Sequence, residues 1–144
     1  MDKKILLVED NPDDEELIRM SLENSNIGNN VVVARDGREA LDLVFGKDAE
    51  PGSALPGLPV IVLLDLHLPK IDGLEVLQRI RADERTKLLP IVILTSSNEE
   101  KDRIESYSLG ANGYVCKPVD FTEFARAVKG LGLYWVLLNA PPRD

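Results

Sequence analysis

Five short runs of this chain are almost wholly apolar, and a stretch with helical spacing follows each one. They are Ile5-Leu6-Leu7-Val8, Val31-Val32-Val33-Ala34, Val60-Ile61-Val62-Leu63-Leu64, Ile91-Val92-Ile93-Leu94 and Gly113-Tyr114-Val115-Cys116. A strand without polar alternation suits a place buried on both faces, as in a parallel sheet. Strands alternating with helices predict an α/β fold, with helices on both faces and right-handed crossovers.

The intervening segments carry helix punctuation. Asn11 can cap a helix with Pro12 at its first position, and Leu17, Ile18 and Leu22 then follow helical spacing. Asp36-Gly37 signals a turn before Ala40, Leu41, Val44 and Phe45, and Gly46 ends that helix. Asp72-Gly73 precedes Leu74, Val76, Leu77 and Ile80. A weaker fourth helix carries Ile104, Tyr107 and Leu109 as its apolar residues, with Gly110 as a natural C-terminal cap. Phe121, Phe124, Val128 and Leu131 give a fifth, which can extend through Tyr134, Trp135 and Leu138. Residues 48–59, with three prolines and two glycines, read as a loop.

At 144 residues the chain fits one domain. A net charge of -8 disfavours nonspecific nucleic-acid binding, which runs on basic patches. The single Cys116 excludes an internal disulfide framework. No apolar run reaches the roughly 20 residues needed to cross a bilayer, and the N-terminus lacks a signal-peptide core. A reducing, cytoplasmic setting without membrane attachment is expected.

Four of the strands end on a charged or reactive group: Glu9-Asp10, Asp65, Thr95 and Lys117. In an open parallel sheet these ends meet at one edge, where ligands bind. Three clustered carboxylates repel one another and favour a hard cation such as Mg²⁺. A lysine and a hydroxyl beside them suit an incoming dianion. Such a set fits phosphoryl transfer, with a carboxylate as the nucleophile. Each residue also has an ordinary reading: Asp10 as a helix-start charge, Glu9 as a solvated loop residue, Thr95 as a strand former, Lys117 as part of a turn. Asp65 resists it most, because a charge directly after five apolar residues is costly without partners. Competing chemistries lack their motifs. There is no G-x-G-x-x-G, no G-x-x-x-x-G-K-[ST] and no G-x-S-x-G, and one His with one Cys makes no zinc site.

At Leu7-Val8-Glu9-Asp10-Asn11, Leu63-Leu64-Asp65, Leu68-Pro69 with Asp72-Gly73, Leu94-Thr95-Ser96 and Lys117-Pro118, the chain resembles the receiver domain of two-component response regulators. The resemblance spans about residues 3–130. It implies a flavodoxin-like (βα)5 fold of strand order 2-1-3-4-5. It implies Asp65 as phosphoacceptor from a sensor histidine kinase. Mg²⁺ or Mn²⁺ would be held by Asp10, Asp65 and the backbone carbonyl of His67, with Glu9 acting through a water. Lys117 and Thr95 would contact the phosphoryl group, and Thr95 with Tyr114 would form the switch. The Lys117–Pro118 bond would be cis. The protein is then a signalling phosphoacceptor, not an enzyme, assisting only its own phosphorylation and dephosphorylation.

A narrower resemblance is to the stand-alone regulators paired with bacterial phytochromes, which implies a phytochrome as the kinase. A single domain over residues 1–144 is expected, with residues 131–144 as a C-terminal extension and no output domain. Signalling would run through contacts with a downstream protein. The apolar cluster Tyr134, Trp135 and Leu138 suggests a homodimer interface. Two other readings stay open on the residues alone: a phosphorylation-independent interaction module and a metal-dependent hydrolase.

Overall fold

The computed structural model describes residues 4–24, 30–47, 55–117 and 121–130. Its elements run β1 (Ile5–Val8), α1 (Pro12–Asn24), β2 (Val31–Ala34), α2 (Gly37–Phe45), β3 (Ile61–Leu64), α3 (Gly73–Ala82), β4 (Ile91–Thr95), α4 (Glu100–Ser108), β5 (Gly113–Cys116) and α5 (Phe121–Gly130). The five strands form one sheet of order β2-β1-β3-β4-β5, and every neighbouring pair is parallel. Fold class and strand order thus agree with the expectation from sequence.

The sheet is filled from both sides, and strand parity decides which side chain goes where. Leu6, Val8, Val62, Leu64, Ile91 and Ile93 point to one face and pack against Ala40, Leu41 and Val44 of α2 and Val76, Leu77 and Ile80 of α3. Their neighbours Ile5, Leu7, Ile61, Leu63, Val92 and Leu94 point to the other, against Ile18 and Leu22 of α1 and Phe124 of α5. Burying each leucine, isoleucine, valine or phenylalanine among them contributes about 1.5–3 kcal/mol. This is why the strand sequences show no polar alternation.

Helix starts are set locally. Asn11 Oδ1 accepts from the Asp13 and Asp14 amides at 2.8 and 3.2 Å, so the cap on α1 is where the sequence puts it. Asp36 does more than turn the chain: its Oδ1 accepts from Glu39 N at 2.8 Å and caps α2. Gly110 lies just past α4 at φ 105, in the left-handed region glycine tolerates.

One boundary departs from the sequence reading. The third strand starts at Ile61, not Val60. On α4, Ile104 and Tyr107 are exposed, and the buried residue is Ser106. The small Ser106 side chain, its hydroxyl bonded to Asp102 O at 2.8 Å, lets this polar helix approach the sheet, while the larger residues flank the contact. Of the loop expected at 48–59, residues 55–59 are described and carry neither helix nor strand. The extension 131–144 lies outside the described residues.

Candidate functional site

Register decides what meets at the carboxyl edge. Val8 pairs with Leu64, so Glu9 and Asp65 leave the sheet side by side, and Thr95 pairs with Cys116, which puts Lys117 one step beyond. Backbone bonds hold this row: Asp65 N donates to Val8 O at 3.1 Å, Glu9 N to Ala34 O at 2.9 Å and Lys117 N to Thr95 O at 2.8 Å. The chain after Asp65 folds tightly over the start of α3. A Cβ on Gly73 would lie 2.2 Å from Asp65 O, so only glycine fits there.

Asp65 is 7% exposed and Glu9 1% exposed. One oxygen each from Glu9, Asp10 and Asp65 come within 4.8 Å of one another. The donor set is all oxygen and suits a hard divalent cation rather than zinc. The Asp65 carboxylate accepts from His67 N at 3.3 Å through Oδ1 and from Lys117 Nζ at 3.1 Å through Oδ2. Asp10 is exposed at the mouth.

Lys117 is the electrostatic centre. Its Nζ lies 2.5 Å from Glu9 Oε1, 3.0 Å from Asp14 Oδ2 and 3.1 Å from Asp65 Oδ2. The Glu9 contact is a close ion pair without good hydrogen-bond alignment, since Glu9 Oε1 has no hydrogen-bond partner. Glu9 Oε2 accepts from Asn11 N at 3.2 Å. Burial alone would lower the Lys117 pKa, but the carboxylates of Glu9, Asp14 and Asp65 outweigh it and raise it. Burial is also the main reason the Glu9 pKa is raised.

Thr95 is fully buried at the end of β4, and its hydroxyl oxygen accepts from Ser97 N at 3.3 Å. Tyr114 is half-buried and donates its hydroxyl to Ser97 O at 3.0 Å, so both residues are tied to the β4–α4 connection. Burial raises the Tyr114 pKa. Ser97 itself donates to Asp102 Oδ2 on α4.

The structure therefore brings Glu9, Asp10, Asp65 and Lys117 together and sets Thr95 on the same edge. His67 is exposed beside them. Pro118 and the cis bond expected there, and Tyr134, Trp135 and Leu138, lie outside the described residues. Sequence reasoning missed Asp14. The Asn11 cap places Asp14 in the first turn of α1, but no strand end points to it and the sequence does not show which way that turn faces.

A family model described as the response regulator receiver domain matches residues 5–129. The chain belongs to the response regulator receiver family. Its family role is signalling by phosphorylation of an aspartate in a two-component system, and receiver domains bind a divalent metal. Such a protein is a signalling domain rather than an enzyme in the usual sense. The receiver resembles the bacteriophytochrome response regulator RtBRR, with 48% identity, a TM-score of 0.82 and coverage of 99% of this chain and 85% of that one. It resembles the Mn²⁺-bound form of response regulator Rcp1, with 35% identity, a TM-score of 0.73 and coverage of 99% and 100%. Among sequences, the probable methanogenesis regulatory protein FilR2 of Methanothrix harundinacea is 40% identical over 96% of this chain and 86% of its own length. Among the described residues, no helix is long and apolar enough to cross a membrane.

Proposed function

We propose that Asp65 is the phosphoacceptor of this receiver and that its phosphoryl group comes from a phosphohistidine on a sensor histidine kinase. The observation that carries this is the Lys117 ammonium 3.1 Å from the Asp65 carboxylate, beside the acidic trio Glu9, Asp10 and Asp65. An Asp65 carboxylate oxygen attacks phosphorus, the P–N bond breaks, and its electron pair stays on the imidazole. An acyl phosphate results. Lys117 donates to the phosphoryl oxygens, and the buried Thr95 hydroxyl turns from Ser97 N towards them. That movement pulls on the connection to which Tyr114 is bonded, and the states then differ in their contacts with a partner.

The donor chemistry supports Mg²⁺, held by the carboxylates of Asp10 and Asp65 and the backbone carbonyl of His67, with Glu9 acting through a water. Bound there, such an ion would supply positive charge against the transferring phosphoryl group. The same side chains assist hydrolysis of the acyl phosphate, so the domain helps both its own phosphorylation and its reversal.

Likeness to RtBRR supports a phytochrome as the kinase, ahead of the more distant resemblance to FilR2. Output runs through a downstream protein. The apolar stretch Tyr134, Trp135 and Leu138, outside the described residues, pairs two copies; sedimentation velocity on Trp135→Ala checks this, with a weaker dimer expected.

Treatment with acetyl phosphate and Mg²⁺ should add one phosphoryl group, read as intact mass. Asp65→Asn should abolish it, and unchanged labelling of that variant would overturn the assignment. Phosphotransfer from candidate kinases then identifies the donor.

A further inference from the structure

Lys117 has three N–H donors, and three carboxylates surround them. Asp14 and Asp65 accept hydrogen bonds from two of these donors, and Glu9 lies against the ammonium as a close ion pair, so an incoming phosphoryl oxygen must compete with a carboxylate on each side. The three carboxylates differ in what they can do. Asp65 is the proposed acceptor itself. Glu9 has a side chain only 1% exposed and cannot leave without stranding a buried charge. Asp14 is 35% exposed, stands on α1 rather than at a strand end, and lies outside the acidic trio. Its carboxylate can turn into water at little cost. Its backbone is fixed by the Asn11 cap, so the helix start holds it against Lys117.

We propose that Asp14 is a displaceable counter-ion, a positioning residue that keeps Lys117 aimed at Asp65 and yields its place to the phosphoryl group. The inference rests on the phosphoacceptor reading above. It makes a directional statement: the Asp14 charge opposes binding of the dianion. Asparagine at this position keeps an oxygen that can accept from Lys117 and removes the opposition.

The test is titration calorimetry with beryllofluoride, a phosphoryl mimic, at saturating Mg²⁺. Asp14→Asn should bind about three- to tenfold tighter than the unmodified chain, a gap set by one charge a few ångströms away in a half-exposed site. The gap should shrink at high salt, because an exposed charge is screened. A merely structural role would not produce that dependence. Asp14→Glu should restore the original affinity. Asp13→Asn removes a charge from the same turn and should leave the affinity unchanged. Urea midpoints measured alongside separate folding from binding. If the unmodified chain does not bind beryllofluoride, the phosphoacceptor reading fails. If it binds and Asp14→Asn is equal or weaker, or if Asp13→Asn gains as much, the assignment to Asp14 fails.

Discussion

Replacing Lys117 with Met keeps a side chain of similar length and removes the charge. The Lys117 side chain is 9% exposed, and its partners Glu9 and Asp65 are 1% and 9% exposed. Without it, two nearly buried carboxylates face each other and no cation. A pair of unit charges 4 Å apart interacts by about 4 kcal/mol at an effective dielectric of 20, and removing one partner of a buried pair costs about 3–5 kcal/mol. The Asp14 contact adds little, because it is partly in water. Losing the desolvation cost of the ammonium offsets part of the total. A loss of about 3 kcal/mol follows, or about 6–12 °C in midpoint for a domain of this size.

The raised Lys117 pKa places this contribution in full below its ordinary value of 10.5, and it is lost only as pH rises through the folded value. Neutral pH therefore samples all of it. Urea and thermal unfolding in EDTA measure the loss. Adding Mg²⁺ should recover more stability in Lys117→Met than in the unmodified chain, since a cation is then replaced in kind. A midpoint in EDTA equal to or above that of the unmodified chain would refute the electrostatic account.

Asp10→Asn should lose most of the midpoint rise that millimolar Mg²⁺ gives the unmodified chain, because stabilisation by a ligand follows its affinity; thermal scans across a Mg²⁺ series read it. Gly73→Ala puts a methyl 2.2 Å from Asp65 O and should cost roughly 3 kcal/mol or more, with reduced acetyl phosphate labelling in whatever remains folded. Asp83, held by Arg85, has its pKa lowered from 3.8 to about 2, so the stability of that pair is present above 3.8 and lost as pH falls through about 2. A carboxyl ¹³C titration should show that midpoint, and Arg85→Ala should return it towards 3.8.

The strands were legible because burial on both faces forces continuous apolar runs, and Ile5–Val8, Ile61–Leu64 and Ile91–Thr95 have no exposed side to disguise them. The site was legible for the same reason: Asp65 ends an apolar run, where a charge needs a local cause. What sequence could not show was the third dimension at helix starts and on lightly packed helices. Asp14 reaches Lys117 across 103 residues of chain, through a helix whose orientation depends on Ile18 and Leu22 packing on the sheet. On α4 the sequence offered Ile104, Tyr107 and Leu109 as apolar residues without showing which of them faces the sheet. The helix buries Ser106 instead, because little apolar surface is available to compete for the sheet.

Three carboxylates, those of Glu9, Asp14 and Asp65, surround one ammonium at this edge, and Asp10 adds a fourth negative charge beside Glu9 and Asp65. The Asn11 and His67 amides, which donate to Glu9 and Asp65, offset that imbalance only in part. The rows of leucine, isoleucine and valine behind it hold the strands in register, so hydrophobic burial sustains the electrostatic strain. The same strain makes the pocket responsive. A divalent cation relieves it. A phosphoryl group on Asp65, as proposed, would bring negative charge back and compete with Glu9 and Asp14 for the Lys117 ammonium. On the proposed phosphoacceptor reading, the cation and the phosphoryl group would act on one another through this shared pocket, the cation favouring the phosphorylated form. A pocket already neutral would bind both less selectively and would have little to redistribute between its two states.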